Sequence, residues 1–238
     1  MTHKKSCVIL FAKYPQKGQV KTRIARFMGD DFALELYSLL LRESIDKLRG
    51  MGLPALISIS PSNKTEAFRK WSRLGGEFHY SGQWGRDLGE RMSNAFIDAF
   101  GLGYEDCVLI GSDLPGLPPV VVTGALDLLE KKDIVIGPAA DGGYYLIGFR
   151  KQSFSPTVFQ RIHWSGPSVF SDTVTKCLEL GLEHQVVDQW RDIDTLEDLA
   201  AAADPEGDQP DQSSAALQFI KDRRRAIMAA LNKRSGKR

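Results

Sequence analysis

Short apolar runs alternate with segments of helical period along most of the chain. Ser6–Ala12 (SCVILFA), Pro54–Ser60 (PALISIS), Asp106–Gly111 (DCVLIG), Asp133–Gly137 (DIVIG) and Tyr144–Phe149 (YYLIGF) have strand length and predict strands. Between them the apolar positions fall at helical spacing. Residues 30–49 carry Ala33, Leu36, Tyr37, Leu40, Leu41, Ile45 and Leu48, and residues 88–100 carry Met92, Ala95, Phe96 and Ala99. Further helices are predicted over 65–74, 120–131 and 167–180, the last with Pro167 in its first turn. This rhythm predicts an α/β fold, a mainly parallel sheet with helices on both faces. In such sheets ligands bind beyond the carboxyl ends of the strands. The segments that follow the strands are therefore where chemistry is expected.

The pattern changes near the C-terminus. Residues 204–214 (DPEGDQPDQSS) are polar and read as a linker after a domain spanning 1–203. Beyond it, Leu217, Ile220, Ile227, Met228 and Leu231 fit one stripe of an amphipathic helix over 215–238. This tail carries net +7, which leaves −6 for residues 1–214 of a chain whose total is +1. A nucleic-acid-binding surface across the body is not indicated. The tail is expected to dock on the acidic body or on a second copy, giving a homo-oligomer, rather than on lipid. Its removal is expected to leave nucleotide binding intact.

Composition adds boundaries. With 238 residues, 42% hydrophobic and 26% charged, the chain has the make-up of a soluble domain. No apolar stretch approaches the 18 or so residues of a membrane span. The run Cys7–Ala12 stops at Lys13, too short for a secretory signal, so a cytoplasmic location is expected. Cys7, Cys107 and Cys177 form no C-x-x-C pair and read as buried free thiols.

Several segments between the predicted elements carry candidate chemistry. The first strand runs into Lys13-Tyr14-Pro15-Gln16-Lys17-Gly18-Gln19-Val20-Lys21-Thr22-Arg23, a loop with Lys13, Lys17, Lys21 and Arg23. Such a loop can bind phosphates by charge and by free backbone N–H groups, or can simply be solvated. It is not a P-loop, because Val20 stands where Gly precedes Lys-Thr. After DCVLIG comes Asp113, placed either to bind a hard cation or to close the turn before Pro115. Asp192 and Asp194 alternate along an extended segment before Thr195 and Asp198, which read as a capping box. Asp141-Gly142-Gly143 permits close approach by a ligand or forms a tight turn. Arg86 and Arg91 can contact an anionic acceptor, while Asp87 and Glu90 can cap a helix. Trp164 reads either as part of an acceptor lid with His163 or as packing.

Assembled, these segments resemble the DUF2064 group of GT-A-fold proteins, which is similar to phospholactate guanylyltransferases (CofC-like) and to molybdenum-cofactor nucleotidyltransferases. The resemblance rests on FAKYPQKGQVKTR (11–23), GRDLGERM (85–92), LIGSDLPGL (109–117), GPAADGGYYLIG (137–148), HWS (163–165) and DIDTLEDL (192–199), and it covers about residues 6–200. It implies a GT-A-like, nucleotide-diphospho-sugar-transferase-like domain. Nucleotide phosphates are expected on Lys13, Gly18, Lys21, Thr22 and Arg23, with Lys21 and Asp113 catalytic. A divalent cation, Mg²⁺ or Mn²⁺, is expected at Asp113, with Asp194 as second ligand and Asp192 its alternative. Arg86, Arg91, Asp141, Gly142 and Gly143 are expected to line the substrate. Leu196 departs from the Pro usual in the related segment. The implied reaction is nucleotidyl transfer from a nucleoside triphosphate to a small phosphorylated or hydroxyl acceptor, with release of pyrophosphate. Glycosyl transfer from a nucleotide sugar and a catalytically silent nucleotide-binding scaffold are the alternatives. The basic loop, Asp113 and Asp194 together argue against the last.

Overall fold

A computed structural model describes residues 5–73, 78–164, 166–204 and 214–235. The strands are β1 Ser6–Lys13, β2 Ala55–Ser60, β3 Phe78–Gly82, β4 Asp106–Gly111, β5 Ile134–Pro138, β6 Tyr144–Arg150 and β7 His184–Val186. The helices are α1 Thr22–Met28, α2 Asp30–Met51, α3 Thr65–Ser72, α4 Leu88–Gly101, α5 Pro119–Leu129, α6 Val169–Glu179, α7 Leu196–Ala202, α8 Ala215–Asp222 and α9 Arg224–Ser235. Among the described residues no helix is long and apolar enough to cross a membrane. The chain divides into two compact units. One takes in residues up to Tyr14, Leu48–Gly111 and Pro119–Trp190; the other Pro15–Lys47, Ser112–Pro118 and Arg191 onward.

The first unit is the sheet, ordered β3-β2-β1-β4-β6-β5-β7. Its pairs are parallel except that β6 runs antiparallel to both β4 and β5. Because side chains alternate across a strand, Cys7, Ile9, Cys107, Leu109, Ile147 and Phe149 face one side. There they meet Met92, Ala95, Phe96 and Ala99 of α4. The opposite face is covered by α5, whose Leu129 lies against Gly148 of β6. All three cysteines are buried and free.

Both edge strands escape the apolar-run reading. β3 (FHYSG) is largely polar and β7 (HQV) is short, so neither shows the run that marks the central strands. Pro167 stands before α6, whose N-cap is Ser168, rather than in its first turn.

The second unit is helical. Ile24 of α1, Leu36 and Leu40 of α2, Ile193, and Leu196 and Leu199 of α7 form its core. The C-terminal tail completes that core from within the same chain. Ala216, Leu217, Phe219 and Ile220 of α8 and Ile227 of α9 are buried in the cluster. The tail is two helices, not the single one expected, and they break at Arg223. Arg223 has left the helical ψ range (φ −103°, ψ 12°), and its guanidinium lies 3.6 Å over the Phe219 ring. The break turns the expected stripe: Ile227 stays inside, whereas Met228 is 36% exposed. Phe219 also meets Phe32 with ring centroids 5.1 Å apart. Arg234 pairs with Glu197 of α7 at 2.5 Å. Most of the expected linker, residues 205–213, lies outside the described residues.

Candidate active site

The chemistry gathers in the second unit around Lys21. This residue is the N-cap of α1 and has a left-handed backbone, φ 46° and ψ 43°, uncommon away from Gly, Asn and Asp. Its side chain is only 3% exposed. A buried ammonium is tolerated only beside opposite charge, and two carboxylates supply it. Lys21 Nζ lies 2.7 Å from Asp113 Oδ2 and 3.5 Å from Asp194 Oδ1. Burial works against the ammonium, but Asp113, Asp194 and Asp192 outweigh it and hold the lysine pKa above its ordinary value. The contact with Asp113 has the distance of a hydrogen bond but not its angles. Asp113 is thus an ion-pair partner of imperfect hydrogen-bond angle, and the ammonium keeps N–H donors for a further acceptor. Arg23, the second residue of α1, donates to Asp194 Oδ2 at 2.9 Å and keeps 65% of its side chain exposed.

Local structure fixes the two carboxylates. The Ile193 N–H donates to the Asp113 carbonyl at 3.1 Å, joining the two acidic segments through their backbones. Buried Ile193 anchors that junction in the core. Asp194 leads into α7, whose capping box forms as expected. Thr195 Oγ1 accepts from the Asp198 N–H, and the Asp198 carboxylate accepts from the Thr195 N–H at 2.8 Å. Asp198 also accepts from the Asp194 N–H at 3.2 Å, so the cap sets the backbone of the candidate ligand itself.

Two positioning residues on α2 were not foreseen. Tyr37 Oη lies 3.1 Å from Ser112 Oγ, beside Asp113. Glu43 accepts from the Gly116 N–H at 2.8 Å and from the Ser214 hydroxyl at 2.6 Å, and it pairs with Lys47 at 2.7 Å. It thereby ties the loop after β4 to the N-cap of α8. The signal was present: Glu43 stands three residues after Leu40, where the α2 stripe calls for an apolar side chain.

Among the described residues no three His, Cys, Asp or Glu side chains gather into a metal cage. Two carboxylates that already share one cation are nevertheless what Mg²⁺ takes when phosphate oxygens and water complete its shell. Asp113 and Asp194 fit that ion.

Residues 46–166 match the family described as "Uncharacterized protein conserved in bacteria (DUF2064)". The "putative nucleotide-diphospho-sugar transferase" of Desulfovibrio desulfuricans G20 is 37% identical over 95% of this chain and 98% of that one, with a TM-score of 0.87. The chain belongs to the DUF2064 family. Its fold is that of the nucleotide-diphospho-sugar transferases. Rv0371c of Mycobacterium tuberculosis H37Rv shares the fold at 16% identity and TM-score 0.52, over 83% of this chain and 96% of that one. So does 4-diphosphocytidyl-2C-methyl-D-erythritol synthase of Anaerococcus prevotii DSM 20548, at 10% identity and TM-score 0.50, over 78% and 88%. No protein with a curated description matches the sequence. The 95% coverage by the Desulfovibrio protein cannot be reached without residues beyond 204, so the likeness extends into the tail, past the segment that the motifs covered.

The remaining expected site residues of this DUF2064 protein divide between the two units. Lys17 pairs with Asp31 at 2.6 Å, Gly18 turns the loop at φ 75°, and Thr22 opens α1, a helix that the loop reading missed. Lys13 ends β1 in the sheet unit and is exposed. Arg86 and Arg91 belong to that unit too. Arg86 Nε donates to Glu90 at 2.7 Å, Arg91 Nε to the Gly85 carbonyl at 3.3 Å, and Asp87 caps α4 by accepting from the Glu90 N–H at 2.8 Å. Beside them, Trp84, Arg86, Asn94, Ile97, Gln160 and Arg161 line a cavity of about 460 Å³. Asp141 accepts from the Gly143 N–H at 2.9 Å, the tight-turn reading. Gly142 has φ 91°, and a Cβ there would stand 2.1 Å from the Pro167 carbonyl. The close approach that this glycine permits is therefore that of the chain itself. Trp164 packs on Gly89 of α4, where a Cβ would come within 2.4 Å of its ring.

Proposed function

We propose that this protein is a metal-dependent nucleotidyltransferase that moves a nucleotidyl group from a nucleoside triphosphate to a small phosphorylated or hydroxyl acceptor and releases pyrophosphate. The observation that carries the reading is the buried Lys21 ammonium between Asp113 and Asp194, with Arg23 exposed on the second carboxylate. A reaction that expels pyrophosphate develops negative charge at the outer phosphates, and fixed cations in a water-poor site stabilise it best. Lys21 has unused donors for a phosphate oxygen, and Arg23 can reach a phosphate from the solvent side. Asp113 and Asp194 would hold Mg²⁺ or Mn²⁺, which polarises phosphate oxygens when bound. The acceptor attacks the α-phosphorus in line, and the cations keep the departing pyrophosphate in place.

A second reading is glycosyl transfer from a nucleotide sugar. The likeness to the 37%-identical "putative nucleotide-diphospho-sugar transferase" of Desulfovibrio favours it. The same residues would then stabilise a departing nucleoside diphosphate. Thermal unfolding separates the two readings. The protein is melted with nucleoside triphosphates or nucleotide sugars, each with and without Mg²⁺ or Mn²⁺. A ligand at a hundred times its Kd adds about 2.7 kcal/mol. Metal-dependent stabilisation by a triphosphate, lost in Asp113→Asn, is the expected result. Stabilisation by nucleotide sugars alone transfers the assignment to glycosyl transfer, and stabilisation by neither class sinks both.

A further inference from the structure

Lys21 stands where a cation shared by Asp113 and Asp194 would stand. Its Nζ is 2.7 Å from one carboxylate and 3.5 Å from the other. A divalent ion held by the same two groups needs their oxygens at about 2.0–2.1 Å. The ammonium and the ion cannot share that space. We propose that Lys21 is an exchangeable internal counter-ion: it fills the metal position until a triphosphate arrives, then gives the carboxylates up to the metal and turns to a phosphate oxygen.

Three observations converge on this inference, which rests on the nucleotidyltransferase reading. Without metal, Lys21 and Arg23 already offset Asp113 and Asp194, which leaves Asp192 as the further carboxylate acting on Lys21. A lone divalent cation would enter as surplus positive charge, whereas a cation that arrives with a polyanionic triphosphate would not. The ammonium is buried, and it meets the two carboxylates as ion pairs of imperfect hydrogen-bond angle. It is thus bound to the carboxylates by charge rather than locked by geometry. Finally, the group that must move is a lysine, a point charge on a flexible four-carbon stem. The consequence is that metal and triphosphate bind cooperatively, and metal alone binds poorly.

The test is Mn²⁺ binding to the full chain without nucleotide, read by calorimetry and by the electron-paramagnetic signal of free Mn²⁺. Lys21→Met removes the charge at similar length and should bind Mn²⁺ about tenfold more tightly than the unaltered protein. Lys21→Arg keeps the charge and should show no gain. Lys21→Met leaves two carboxylates facing each other, so its melting temperature can fall. In that event Mn²⁺ should raise it by more than it raises that of the unaltered chain, and the absence of that rescue counts against the exchange. Mn²⁺ binding by Lys21→Met no tighter than that of the unaltered protein overturns the exchange. If Asp113→Asn still abolishes that binding, the metal assignment survives the loss. Mn²⁺ binding indifferent to Asp113→Asn would remove the metal from these carboxylates, and the transferase reading would fall with it.

Discussion

Lys21 and Arg23 lie two residues apart at the start of α1 but in different surroundings. Lys21 is enclosed, whereas Arg23 is 65% exposed and spans from Asp194 to solvent. Placed there, Arg23 should serve the outer phosphates. Arg23→Ala should weaken triphosphate binding by about 1.5 kcal/mol, the lower end for a charge-assisted contact, and monophosphate binding much less. Equal losses in calorimetric titrations with the two nucleotides would move Arg23 away from the outer phosphates. The cations of this loop were legible in the sequence; their separate fates were not. Charge count cannot say that Lys17 meets Asp31 while Lys21 meets Asp113 and Asp194, because those partners come from distant segments. The thiols were easier, since Cys7 and Cys107 sit in apolar runs. Burial pushes Cys7 up to about 12 and Cys177 up to about 11, with Cys107 also raised. In the unfolded chain a thiol ionises near about 8.5. The unfolded state therefore binds fewer protons above that pH, and stability falls as pH rises from there toward the folded values. Urea midpoints should drop between pH 8 and 10, less steeply in Cys7→Ala. Iodoacetamide should label these cysteines only on unfolding, and rapid native-state labelling at pH 8 would contradict their burial.

At the scale of elements, the long apolar runs and the α2 and α4 stripes were readable because burial and period agree there. β3, β7 and α1 were not. An edge strand need not be apolar, and α1 is a seven-residue helix that buries little besides Ile24. The mixed sheet was also hidden, because a strand's direction depends on its connection and not on its composition. The capping box was read correctly, and it links an element to the site. Thr195→Ala removes the acceptor for the Asp198 N–H and loosens the carboxylate that holds the Asp194 backbone. The cap should cost about 1 kcal/mol. Because Asp194 is a candidate ligand, Mn²⁺-dependent stabilisation by triphosphate should shrink as well. A drop in melting temperature with metal-dependent stabilisation untouched would show that the cap does not set Asp194.

At the scale of the whole molecule, the tail decides how much chain the site needs. From sequence it read as an appendage behind a linker, removable without loss of nucleotide binding. Its apolar residues instead complete the core that carries α1 and α7, and hence Lys21 and Asp194. Leu217, Phe219, Ile220 and Ile227 are each nearly or fully buried. At about 1.5–3 kcal/mol apiece, their removal takes away an amount comparable with the whole stability of an ordinary domain, about 5–15 kcal/mol. Ser214 adds a hydrogen bond to Glu43, which also holds the loop after Asp113. A chain ending at residue 213 should therefore melt lower and lose metal-dependent triphosphate stabilisation together. Met228→Ala, at a half-exposed position, should change neither by more than about 0.5 kcal/mol. With its apolar face turned inward, the full chain should leave anionic liposomes unbound. A truncated chain that retains full triphosphate stabilisation would show that α8 and α9 only cover a site able to stand without them.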